Sequence, residues 1–135
     1  TRKAMKIAYN AHNGQVDKSG VPYIYHPIHL AEQMQTEDEC IVALLHDTVE
    51  DTEVTFEDLE KEFSNEIIEA IKLLTHDKSV EYMEYIKQIK ENPIAKNVKL
   101  ADLRHNSDET RKAEITDKDI KRNEKYKKAI KFLTE

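Results

Sequence analysis

The sequence predicts an all-α bundle of about seven to eight short helices. Three observations lead there. Apolar residues recur at i, i+3, i+4 and i+7 in segment after segment, the spacing of one buried helix face, and no alternating strand pattern of useful length occurs. Capping residues mark the boundaries between these segments. Only 2 Gly and 3 Pro occur in 135 residues, which disfavours collagen-like, linker-like and loop-heavy sandwich classes. A chain of this length supports one core, so residues 1–135 are expected to form a single domain.

The first helix is expected over residues 2–12, with Ala4, Ile7, Ala8 and Ala11 on its buried face and Asn13-Gly14 as its stop. Residues 15–26 hold Gly20 and Pro22 and read as a loop. Pro27 suits the first turn of a helix running to about Gln35, because its missing N–H is an orphan there anyway. Thr36 to Glu39 reads as a capping box. It opens a central helix that is apolar on most of its circumference, with Ile41, Val42, Leu44, Leu45 and Val49. Thr55 to Asp58 is a second box of the same type, opening a short helix that ends near Phe63. Helices are expected over residues 64–75, carrying Ile67, Ile68, Ile71 and Leu74, and over 79–91, carrying Tyr82, Tyr85, Ile86 and Ile89. Asn92-Pro93 is a cap followed by a first-turn proline, opening a helix through about Asn106. Asp117 is read as the cap of a last helix reaching Leu133.

Net charge is −6, which argues against a general nucleic-acid partner. No apolar run approaches the ~20 residues that cross a bilayer, so no membrane partner is expected. The single Cys40 has no internal thiol to pair with, which points to a reducing cytoplasm and to a small buried hydrophobe on the central helix. Between Glu32 and Glu69 there are 14 acids and one base; from Ala70 onward, 16 bases and 12 acids. Solvated helix faces account for most of these. The run Lys121, Arg122, Lys125, Lys127, Lys128 is read the same way. Its pairing with the acidic block of a second copy, giving a homo-oligomer, is the alternative.

Four acids and two histidines resist that reading. The apolar central helix carries His46-Asp47 and then Glu50-Asp51, which a continuous helix would gather on one polar stripe. Buried carboxylates are costly unless paired or bound to a metal. An exposed stripe near a helix end is the competing account. His26 follows the Gly/Pro loop, and Asp102 lies on a helix otherwise apolar at Ile94, Ala95, Val98 and Leu103. Two imidazoles and two carboxylates make a mixed donor set that suits Mn²⁺, Fe²⁺ or Zn²⁺ better than a closed thiolate site.

Four ordered strings carry a specific resemblance. They are His12 to Gln15, Lys18 to Pro27, Ala43 to Thr52, and Val98 to Asn106. Together they resemble the hydrolase domain of the RelA/SpoT family, an HD-domain phosphohydrolase fold. The short length is similar to the family's stand-alone small alarmone hydrolases, and the similarity runs from about His12 to Arg111. The resemblance implies an all-α HD-domain enzyme that uses Mn²⁺ to remove the 3′-pyrophosphate of guanosine 3′,5′-bis(diphosphate) and its pentaphosphate. It implies His26, His46, Asp47 and Asp102 as metal ligands and Glu50 and Asp51 as the pair handling the attacking water. It implies Lys18, Ser19 and Asn106 in the nucleotide pocket. The sequence departs from the family pattern at Asp17, where a basic residue is common, at Ser107, where Met is common, and at Arg104, one position late.

Other candidates are set by position. Lys99 precedes Asp102 by three residues and is expected near the site, contacting substrate or snorkelling at the surface. Lys18, Arg104 and Arg111 could supply a basic rim for a polyphosphate entering an acidic protein. His29 and His76 read as surface or helix-end residues, and His12 as a helix end or a support for the site. The rival functions are an HD phosphohydrolase acting on another phosphorylated nucleotide, such as a 2′- or 3′-phosphorylated cofactor, and a catalytically inert nucleotide sensor. The retention of all six ligand and catalytic positions opposes the sensor.

Overall fold

A computed structural model gives the architecture and describes residues 1–108 and 116–135. Arg111 lies outside the described residues. The helices are α1 (Arg2–Ala11), α2 (Tyr25–Glu32), α3 (Glu37–Leu45), α4 (Thr48–Asp51), α5 (Phe56–Glu60), α6 (Asn65–Leu74), α7 (Tyr82–Lys90), α8 (Pro93–Asn106) and α9 (Asp117–Thr134). The fold is all-α, as the periodicity predicts. Two helices organise it: α3 packs against α1, α2, α6 and α8, and α8 packs against α2, α3, α6, α7 and α9. Val42, Ala43, Leu44 and Leu45 of α3 are fully buried, and Leu30, Ile71, Ile86, Leu103 and Leu133 complete the core from five other helices. Among the described residues no helix is long and apolar enough to cross a membrane.

The central helix is not continuous, which is why one more segment is present than the periodicity suggests. α3 ends at Leu45, Asp47 takes φ −107°, ψ 0°, and α4 restarts as a single turn. Side chains take over the carbonyls at the break: His46 Nδ1–H donates to Ala43 O (2.6 Å) and the Thr48 hydroxyl to Leu45 O (2.8 Å). The polar stripe expected from a straight helix is therefore produced by a bend at Asp47, a backbone conformation common at functional sites.

Caps fall where the sequence places them, with two adjustments. Thr36 accepts from Glu39 N, but the Glu39 carboxylate, buried, bonds the Thr36 hydroxyl and Asn97 Nδ2, tying α3 to α8 instead of closing the box. The last helix is capped by Thr116, one residue before Asp117, in a full capping box with Asp119. Thr55 and Asp58 form the same box on α5. Thr55→Ala should cost about 1 kcal/mol and lower the thermal midpoint by roughly 4 °C, measurable by circular dichroism.

The loop between α1 and α2 is tightly built. Val16 and Pro22 form an isolated antiparallel bridge, and Gly20 at φ +82° turns the chain between them. Asp17 Oδ1 accepts from the backbone N–H groups of Ser19 (2.8 Å) and Val21 (3.0 Å). This fixes the tip carrying Lys18 and Ser19.

Candidate metal centre

Four elements bring the predicted donors together. His26 comes from the first turn of α2, His46 and Asp47 from the break between α3 and α4, and Asp102 from the buried face of α8. His26, His46 and Asp102 are almost fully buried. His26 Nε2 lies 2.8 Å from Asp102 Oδ1, and His46 Nε2 lies 3.1 Å from Asp47 Oδ2 and 3.5 Å from Asp102 Oδ1. His26, His46 and Asp47 each offer a ligand atom within 4.8 Å of the others.

His46 provides the test of whether a cation fits. Its Nδ1–H is committed to Ala43 O, so Nε2 presents a lone pair. That nitrogen is buried, makes no aligned hydrogen bond, and faces carboxylate oxygens on two sides. A lone pair aimed at anionic oxygens is repulsive unless a proton or a metal ion lies between them. Burial opposes protonation of His46, but the Asp47 charge and the contacts with Asp102 outweigh it and hold its pKa well above the ordinary imidazole value. A divalent cation serves the same electrostatic need with one charge more, and two imidazoles with two carboxylates are a donor set that divalent transition metals accept.

Asp102 is the hub. Burial alone would raise its pKa, yet the Lys99 ammonium and the His26 and His46 contacts hold it well below the usual carboxylate range. Its Oδ2 accepts from Lys99 Nζ (3.1 Å) and its Oδ1 from Asn106 Nδ2 (3.0 Å). Lys99 is 13% exposed and its Nζ lies 5.2 Å from the Tyr85 ring centroid, so it supports Asp102 from below. It is not a snorkelling surface lysine.

A second group of carboxylates overlaps the first at Asp47. Asp47, Glu50 and Asp51 have oxygens within 4.8 Å of one another. Glu50 is exposed, and its Oε1 accepts from the backbone N–H of His76 (2.8 Å). Burial, Asp47 and Glu50 together raise the Asp51 pKa. Tyr23 and Asn106, which bond Asp47 and Asp102, also line a cavity of about 330 Å³, together with Val16, Asp17, Lys18, Ser19, Arg122 and Tyr126. Lys18 is 63% exposed and its Nζ stands 4.0 Å from Asp119 Oδ1. Arg104 is exposed at the end of α8 and does not line the cavity that Lys18 and Asn106 share.

Tyr23 and Arg122 escape sequence reasoning, whereas His12 does not. The Tyr23 hydroxyl donates to Asp47 Oδ2. Burial first, and then the Asp47 charge, push its pKa far up, so it remains a donor. Tyr23 and His26 are three apart at the α2 entrance, a spacing that could have flagged the pair. Arg122, out of a run that reads as a solvated face, reaches the cavity from α9, as does Tyr126 one turn on, a position that reads as core or rim. His12 is buried at the end of α1, with Nδ1 2.8 Å from Gln15 Oε1 and its ring 4.8 Å from that of Tyr23, which makes it a support for the site. Cys40 is half-buried against the core, less enclosed than its helix position suggests.

The HD domain family model matches residues 4–121. Over 117 residues the chain is 38% identical to the guanosine-3′,5′-bis(diphosphate) 3′-pyrophosphohydrolase MESH1 of Danio rerio, covering 77% of this chain. It is 40% identical over 75 residues, 53% of this chain, to the bifunctional (p)ppGpp synthase/hydrolase SpoT of Escherichia coli. The aligned parts amount to 65% of MESH1 and 11% of SpoT, and to 7% of a chloroplastic RSH1 protein of Oryza sativa. A solved structure reported for a metazoan ortholog of SpoT that hydrolyses ppGpp superposes with a TM-score of 0.77 at 28% identity, covering 98% of this chain and 83% of that one.

Proposed function

Because the chain belongs to the HD-domain family, we propose that it is a metal-dependent hydrolase removing the 3′-pyrophosphate of guanosine 3′,5′-bis(diphosphate) and of its pentaphosphate, releasing pyrophosphate. The observation that carries this reading is the convergence of His26, His46, Asp47 and Asp102 beside a cavity edged by Lys18 and Arg122. The names of the relatives supply the substrate class.

In this reading His26, His46, Asp47 and Asp102 hold the metal; a mixed imidazole and carboxylate set accepts Mn²⁺, Fe²⁺ or Zn²⁺, and Mn²⁺ is the ion that the resemblance to the RelA/SpoT hydrolases implies. When bound, such an ion polarises a phosphoryl oxygen and favours ionisation of water near neutral pH. The protein's own groups do the rest. Glu50 has one oxygen occupied by the His76 N–H, which orients the other toward the water as general base. Asp51 beside it orders the same water. The water oxygen bonds to the phosphorus attached to the ribose 3′ oxygen, that P–O bond breaks, and the 3′ oxygen leaves with a proton. Lys99 holds Asp102 ionised and in place. Lys18 and Arg122 bring positive charge, and Ser19 and Asn106 hydrogen-bond donors, to the nucleotide phosphates in a protein of net −6. A reducing, cytoplasmic setting is supported by the single Cys40.

Asp17 favours a second reading, hydrolysis of a different phosphorylated nucleotide. It sets a carboxylate beside Lys18 at the cavity edge, although two backbone N–H groups occupy its Oδ1. One experiment separates the two. Mn²⁺-loaded protein is offered guanosine tetraphosphate and a panel of 2′- and 3′-phosphorylated nucleotides, with products resolved by ion-exchange chromatography. Pyrophosphate release from the tetraphosphate is expected; turnover confined to the other nucleotides would transfer the assignment. Lys18→Ala should raise KM for the tetraphosphate about tenfold, the loss of one exposed charge contact, with metal content by elemental analysis unchanged. Equal kinetics would remove Lys18 from the pocket.

A further inference from the structure

The ring of His26 makes a contact that metal ligation does not use. Its Nδ1 lies 2.6 Å from Nδ1 of His105. The two ring planes are within 8° and the centroids are 4.9 Å apart. That is as far apart as two imidazoles joined Nδ1 to Nδ1 can be, so the rings meet edge to edge in nearly one plane. His105 follows Asp102 by three residues on α8, and both side chains reach His26 from the same helix. The outer side of His105 packs against His29, with centroids 4.2 Å apart, and lines a separate cavity of about 410 Å³.

Two nitrogens at this distance attract only if one carries hydrogen and the other a lone pair. The tautomers of the two rings are therefore linked. When His26 Nε2–H donates to Asp102 Oδ1 at 2.8 Å, His26 Nδ1 accepts and His105 Nδ1–H donates. When Nε2 is a ligand, its lone pair is engaged and the His26 proton must sit on Nδ1. The same bond then runs the other way, with His105 Nδ1 accepting and its own proton on Nε2.

We propose that His105 is the positioning residue that sets the tautomer of His26, and that the hydrogen bond between them reverses when the metal site fills. The protons balance. One leaves His26 Nε2 for solvent, the bridging proton passes from His105 Nδ1 to His26 Nδ1, and His105 Nε2 takes one from solvent. A metal-bound histidine ordinarily donates its second N–H to a carboxylate, a carbonyl or water, and loss of that partner typically weakens the metal 10- to 100-fold. Here a second imidazole has that place.

The inference rests on His26 being a ligand, and the test separates the two claims. Chelator-stripped protein is titrated with Zn²⁺ against a chromophoric chelator. His105→Phe keeps a flat ring but has no acceptor, and should weaken Zn²⁺ binding by roughly 10- to 100-fold. His105→Gln, whose amide oxygen can accept from Nδ1–H, should recover most of that loss. His26→Ala should weaken binding more than either. Nitrogen-15 NMR of the parent protein should find His26 protonated at Nε2 when stripped and at Nδ1 with Zn²⁺, and His105 the reverse. Loss of Zn²⁺ binding in His26→Ala with none in His105→Phe, or unchanged tautomers on loading, overturns the role of His105 and leaves His26 a ligand. Undiminished binding in His26→Ala overturns the ligand assignment itself. If His105→Phe fails to fold, the NMR tautomers of the parent protein decide.

Discussion

Glu50→Gln is expected to retain its metal and to lose turnover by roughly two to four orders of magnitude, the range usual for a missing general base. The substitution is gentle on the fold. Glutamine keeps an oxygen where Oε1 now accepts from the His76 N–H, so α4 stays tethered to the loop after α6. What disappears is the charge that takes the water proton. Glu50 lies one turn past His46 and Asp47, close to the proposed ligands but outside the histidine group. Elemental analysis of the purified variant, paired with single-turnover rates, gives the two numbers needed. If the metal is lost while the rate per bound metal is unchanged, Glu50 is a ligand and the six residues have been divided wrongly.

Asp102→Ala should remove both the metal and a large part of the stability. Asp102 is 6% exposed and receives His26, Lys99 and Asn106, with His46 close by. Its removal strands the Lys99 ammonium, 13% exposed, beneath the site with no carboxylate in contact among the described residues. Breaking a buried ion pair on one side costs on the order of 3 kcal/mol. A urea titration should show the midpoint falling with little change in slope. Asp102→Asn with Lys99→Met removes both charges, and should recover stability without recovering metal. If that double variant is as unstable as Asp102→Ala, the stranded charge is not the cause.

The sequence was most informative where a local rule has a single outcome. Asn92-Pro93 begins α8, and Thr55 with Asp58 caps α5, because caps involve only neighbouring residues. The break at Asp47 was not legible, since Val49 continues the apolar spacing across it and the carbonyls are claimed by His46 and Thr48 side chains. Thr116 and Asp117 are both good caps side by side, and the Thr116–Asp119 box decides between them. The four donors could be read as a set only because their motifs occur in a recognisable order; no local pattern joins His26 to Asp102. Arg122 was beyond reach, and Tyr126, which reads as a core or rim residue, was not tied to the site. Their place at the cavity depends on how α9 lies across α8, which sequence spacing on α9 alone does not report.

That last feature bears on the order in which the molecule matures. The proposed ligands all lie between His26 and Asp102, whereas one wall of the cavity comes from residues 122 and 126 on α9. On a ribosome the metal donors emerge first, followed by the helix that completes the nucleotide pocket. Metal binding and nucleotide binding are thereby assigned to successive stretches of the chain, while α9 also closes the core with Ala129 and Leu133. Arg122→Ala combined with Tyr126→Ala in the full chain should leave Zn²⁺ uptake intact and weaken affinity for the tetraphosphate.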